Sequence, residues 1–141
     1  MIHHSRWNPL VRWLKFNLVG LVGIGVQLAA LWILSGLGVG YMFATAVAVE
    51  TAVLHNFIWH ERFTWMDRCE GGVGATLERL LRFNLTTGAV SIGGNLLFMR
   101  LLVGGTHLRP MLANLLSIAA CSLANFFVSD RWVFRTTARA E

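Results

Sequence analysis

From Asn17 to Val49 the chain carries no Lys, Arg, Asp or Glu. That run excludes an ordinary soluble fold. It is too long for one buried core helix, and ~20 apolar residues already cross the ~30 Å hydrocarbon core of a bilayer. The glycine-rich SGLGVG (Ser35–Gly40) breaks it, so the run predicts one span, a reversal and the start of a second span. Composition agrees: 13% of residues are charged, about half the ~25% of a soluble domain. The chain of 141 residues reads as one integral membrane domain, 1–141.

Four spans follow from the apolar runs: Leu14–Leu34, Tyr41–Trp59, Leu81–Val103 and Met111–Val128. Pro110 suits the first turn of the fourth, where a missing N–H costs nothing. The most polar segment, His60–Leu80, joins spans two and three, with GGVG (Gly71–Gly74) as its flexible part.

Orientation follows from the basic residues flanking the spans. Arg6, Arg12 and Lys15 precede span one; Arg62, Arg68, Arg79 and Arg82 surround the 2–3 connection; Arg131, Arg135 and Arg139 follow span four. Only Arg100 and Arg109 lie on the other side. Both termini and the 2–3 connection are therefore expected in the cytoplasm, in a cell inner (cytoplasmic) membrane crossed several times. The net charge of +5 matches anionic headgroups better than nucleic acid. Trp13, Trp59, Phe63, Trp65, Trp132 and Phe134 collect at the same side, where an aromatic belt is expected.

The sequence repeats. LKFNLVG (Leu14–Gly20) matches LRFNLTTG (Leu81–Gly88), and HNFIWHERFTW (His55–Trp65) matches the end of LANFFVSDRWVF (Leu123–Phe134). In the second pair Asn56, Arg62 and Trp65 align with Asn125, Arg131 and Phe134 at an offset of 69. The fold class expected is an all-α membrane protein of four transmembrane helices. It is built as two tandem helical hairpins, about 12–65 and about 79–134, forming a parallel repeat about an axis along the membrane normal.

Polar residues inside the spans are the candidate functional groups. Gly20, Gly23 and Gln27 share a helix face, as do Gly88, Ser91 and Asn95 in span three. Small residues and an amide suit either a close helix seam or a solute path. Asn114, Ser117, Cys121 and Asn125 form a polar stripe on span four that must face protein or a wet cavity. Glu50 is the sole acid within a span; it reads either as a coupling or substrate-binding acid or as a protonated carboxyl bonded to a neighbouring helix. Arg62 and Arg131, at equivalent places beneath apolar spans, either hold a phosphate through the guanidinium fork or mark topology beside Glu61 and Asp130.

Other chemistry is not indicated. His55 and His60 are five apart, a poor pairing on one helix face, and Cys69 and Cys121 lack metal-ligand spacing, so neither a metal, a cofactor nor a disulfide is expected. HExxH, GxSxG and Walker motifs are missing, and the longest extramembrane stretch, about twenty residues, is too short to fold a catalytic domain. The chain is not expected to be an enzyme.

The KFNLVG opening (Lys15–Gly20) and the span ends NFIWHERFTW and NFFVSDRWVF, in four short spans, resemble the GtrA-like family from Leu14 to Arg135. The family wording is close to N-F-x-x-N-R-x-W-T/V-F. The second copy matches better; the first departs at His60 and Glu61. The resemblance implies flipping of a polyprenyl-phosphate-linked sugar for cell-surface polysaccharide synthesis, with a glycosyltransferase partner. It places the motif residues at Asn56, Arg62, Asn125 and Arg131. On this reading Asn114, Ser117 and Glu50 complete the substrate path, and the small size suggests a homodimer. Two alternatives stand beside it: a non-catalytic anchor for a glycosyltransferase, and a small multidrug-type proton antiporter using Glu50.

Overall fold

The computed structural model describes residues 8–135. Those residues form helices joined by short turns, with no strand among them. They partition into two compact units, divided in the chain after Cys69.

In the first unit, α1 covers Pro9–Gly36. Asn8 caps it, its side-chain oxygen accepting from the Leu10 N–H at 3.0 Å, and Pro9 occupies the first turn, where no N–H is needed. The helix ends where Gly38 takes φ +78, a left-handed value that glycine adopts without a Cβ clash. The chain then reverses into α2, Tyr41–Trp59. Ala44, Ala48 and Ala52 are buried on one face of α2, and small side chains at spacings of four let helix backbones approach. The approach is tightest at Gly23, where an added Cβ would overlap the amide of Asn56.

In the second unit, α3 covers Val73–Gly88 and α4 covers Asn95–Met99. They form one rod with the π-wound segments Ala89–Gly94 and Arg100–Gly105. A turn leads to α5, Pro110–Val128. The buried face of α5 carries Ala113, Ser117 and Cys121, at the positions aligned with Ala44, Ala48 and Ala52. The close approach here is at Gly94, where a Cβ would stand 2.9 Å from Cys121 Sγ.

Helix three begins eight residues before the expected span. Gly71 (φ +106) turns the chain, and the Gly72 carbonyl accepts from Ala75 and Thr76 at 3.1 and 3.2 Å. Helix therefore starts at Val73 inside the segment read as a polar connection, because Glu78, Arg79 and Arg82 need water only on one face. Pro9–Gly36 and Val73–Leu102 are long and apolar enough to cross a membrane. Leu21, Leu28, Trp32, Ile92 and Leu96 stay exposed along them, a quantity of apolar surface that water does not favour.

Candidate functional site

Each hairpin ends in the same device. After α2 the chain winds into a π turn, His60–Thr64, closed by the Trp65 N–H donating to the His60 carbonyl at 2.8 Å. After α5 it does so again at Ser129–Val133, closed by the Phe134 N–H on the Ser129 carbonyl at 2.8 Å. The wider winding returns one aromatic ring toward the protein. Trp65 and Phe134 are both 0% exposed. They plug their hairpins and do not join an interfacial belt, whereas Trp59 and Trp132 are 51% and 43% exposed and remain suited to one.

The first helix of each hairpin holds the plug. Phe16 stacks on His60 with centroids 4.8 Å apart and meets the edge of Trp65 at 6.0 Å. The aligned Phe83 lies 6.2 Å from Phe134. His60 Nδ1 is 3.0 Å from Thr64 Oγ1. Burial, and then the neighbouring His55, push the His60 imidazole down to about 3, so it is neutral at ordinary pH.

Arg62 and Arg131, the expected phosphate ligands, sit within these turns with exposed side chains. The Arg131 guanidinium lies 5.4 Å over the Phe127 ring. Behind each arginine stands the aligned amide. Asn56 Oδ1 is 3.2 Å from His55 Nδ1 and lies against Gly23. Asn125 Nδ2 donates to Ser91 Oγ at 3.0 Å, and its Oδ1 is buried without a hydrogen-bond partner among the described residues. Gly23 and Ser91 are themselves aligned, so both units seat the amide against the same small-residue position of their first helix.

Ser117 is fully buried, its hydroxyl donating to the Ala113 carbonyl of its own helix at 2.8 Å, and Cys121 faces Gly94. The stripe on α5 is thus packed against the rod of its own unit at these two places. The side chains of Asn114 and Asn95 lie outside the described residues, as do Arg6 and Arg139. Glu50 is exposed on α2, two turns from Asn56, and does not join the cluster at the helix end.

The structure adds groups that periodicity did not single out. Arg12, read as a topology marker, is 4% exposed, with Nη2 2.7 Å from Asp67 Oδ2. Lys15 Nζ donates to the Phe63 carbonyl at 3.3 Å and lies 4.4 Å from the centre of that ring. The FN pair following each of Lys15 and Arg82 was the available signal for the latter. Arg12 and Asp67 are 55 residues apart, and no local pattern joins them.

A helical chain whose apolar helices expose their flanks and whose cations gather at helix ends is a membrane protein. Residues 15–139 match the family described as GtrA/DPMS, transmembrane domain, and the chain belongs to that family. It is 34% identical over 114 residues to a protein of Pyrococcus furiosus named dolichol-phosphate mannosyltransferase. The match covers 80% of this chain and 31% of that protein, so the chain spans about a third of the length of this relative.

Proposed function

We propose that the chain carries a polyprenyl-phosphate-linked sugar across the cell inner membrane for cell-surface polysaccharide synthesis. The observation that carries the reading is the repeated hairpin end: an exposed arginine, Arg62 or Arg131, six residues beyond a half-buried amide, Asn56 or Asn125. A lipid phosphate needs a cation at the leaflet boundary, and a sugar needs amide partners once it leaves water. A bare sugar phosphate cannot enter hydrocarbon, whereas its polyprenyl tail stays in lipid throughout.

In this reading the two hairpins form a parallel repeat. Both termini and the 2–3 connection are cytoplasmic, and Arg62 and Arg131 serve the same leaflet. Asn114 and Ser117 continue the path along α5, Glu50 contributes an acid deeper in α2, and two copies assemble to give the path enough room. The family membership and the name of the relative support the lipid class.

The relative's greater length favours a second reading. The chain is similar to about a third of a longer mannosyltransferase, as a membrane anchor for a partner glycosyltransferase would be. Vesicles reconstituted with the protein and a labelled polyprenyl-phosphate sugar separate the two. Wild type is expected to flip the lipid and the Arg62→Ala, Arg131→Ala double variant to lose that activity. A double variant as fast as wild type ends the phosphate role, and co-purification with a glycosyltransferase without flipping selects the anchor. A proton antiporter resting on Glu50 would need dye resistance that Glu50→Gln abolishes.

A further inference from the structure

The two amides at the hairpin ends are not held alike. In the first unit Asn56 Oδ1 is 3.2 Å from His55 Nδ1, and Gly23 offers the amide only backbone to lie against. In the second unit Ala124 stands in the place of His55 and brings no side-chain donor. Asn125 Nδ2 donates to Ser91 Oγ at 3.0 Å, and Oδ1 stays buried with no hydrogen-bond partner among the described residues. Turning the amide over would put Nδ2 in that position instead, so one polar atom is spare in either orientation. The helix opposite also differs. LKFNLVG (Leu14–Gly20) has seven residues and LRFNLTTG (Leu81–Gly88) has eight. α1 runs on as regular α-helix, whereas the third helix widens into the π winding Ala89–Gly94, which holds Ser91. A π turn takes up one extra residue, and such turns inside α-helices gather at functional sites.

We propose that the spare amide atom of Asn125 takes a hydroxyl of the lipid-linked sugar, a contact that His55 forecloses at Asn56. The proposal rests on the polyprenyl-phosphate-sugar reading above and names the group that recognises the sugar. A buried polar atom without a partner is costly, and more so where hydrocarbon replaces water. A hydroxyl both donates and accepts, so it satisfies whichever amide atom is spare; an isoprenoid tail can do neither. Asn125 as a residue is half-buried, so rotation of its side chain presents the amide to a ligand lying beside α5. The two halves of the repeat thus divide the work unequally: the first amide is committed within its own hairpin, and the second keeps one bond in reserve.

The full chain in nanodiscs, titrated with polyprenyl phosphate and with polyprenyl-phosphate mannose, tests this; mannose is the sugar in the name of the relative. Wild type is expected to bind the mannosyl lipid about tenfold more tightly than the bare one, the ratio that one well-made hydrogen bond supports. Asn125→Leu should bring the two affinities together. Ala124→His, which gives the second unit the donor that the first already has, should do the same. In a series of monodeoxy mannosyl lipids, removal of one hydroxyl should cost wild type about tenfold and Asn125→Leu nothing. A wild type that binds both lipids alike, a preference that survives Asn125→Leu, an equal loss of both lipids in that variant, or wild-type behaviour of Ala124→His overturns the proposal. Flipping that persists alongside any of these results leaves the transport reading standing. The expected coupling without flipping keeps the contact and selects the anchor, whereas binding of neither lipid removes the polyprenyl-phosphate reading and this contact with it.

Discussion

Lys15 and Arg82 make the same pair of contacts in their separate units. Lys15 donates to the Phe63 carbonyl at 3.3 Å and lies 4.4 Å over the Phe63 ring. Arg82 donates to the Trp132 carbonyl at 3.4 Å and lies 5.5 Å over the Trp132 ring. Phe63 and Trp132 are aligned residues of the repeat. In each case a cation from the first helix clamps the π turn that ends the second, holding the neighbouring arginine at the hairpin end. Arg82 is also paired with Glu78 one turn before it, a partner that Lys15 lacks in sequence because Val11 stands four residues before it.

Gly20 and Gly23 share a helix face but not a role. A Cβ at Gly20 meets nothing within 4 Å, whereas at Gly23 it overlaps Asn56. Gly20→Ala should raise the thermal midpoint in detergent, since Ala is favoured over Gly in a helix by about 1 kcal/mol. Gly23→Ala should lower stability by about 1–3 kcal/mol, the usual range for overpacking. Equal shifts for the two variants would contradict the close approach of α1 to Asn56.

The ion pair of Arg12 with Asp67 predicts an unequal response to its two halves. Asp67→Ala leaves a guanidinium that is 5% exposed at its side chain. It should cost about 1.5–3 kcal/mol, the range for losing a hydrogen bond to a charged group. Arg12→Ala leaves a carboxylate that is 28% exposed and can rehydrate, but it also loses the packed guanidinium stem. Unfolding of the double variant should therefore be closer to that of a single variant than to the sum.

His60 predicts a pH dependence. The unfolded imidazole takes up a proton near its ordinary 6.5, and the folded one refuses it until about 3. Stability from keeping this ring neutral is thus full above pH ~6.5 and declines as pH falls toward 3. The difference in midpoint between wild type and His60→Phe, followed across that window, should show this decline. A difference independent of pH would mean the ring is not sequestered by Phe16 and Trp65.

Topology has its own measurement. Cysteines placed at Leu37 and Thr106, in exposed turns of the two units, are expected to react with an impermeant maleimide from outside the cell. Cysteines at Glu70 and Arg135 are expected to react only after the membrane is opened. Arg62 and Arg131 found on opposite sides would remove the shared leaflet on which the proposed function depends.

Much of the fold is carried by one-dimensional signals. The charge-free run sets the first helices, because a bilayer admits no unpaired charge along a span. The second span ends at Trp59 as read, and α5 ends at Val128 as read, because polar residues crowd in there at once. The start of helix three was not legible, since an amphipathic turn resembles a polar connection when only residue type is counted.

The sequence by itself determined the membrane class, the family, the repeat and the paired Asn and Arg positions, all properties of order and spacing along the chain. Only tertiary structure decided that Trp65 and Phe134 are plugs, that Arg12 closes on Asp67, and that Lys15 lies over the Phe63 ring. Those facts depend on the π turns, which add a residue to the winding and so reassign every following side chain to a new face. Residue type does not encode that shift; it emerges when two helices pack and the aromatic ring finds room between them.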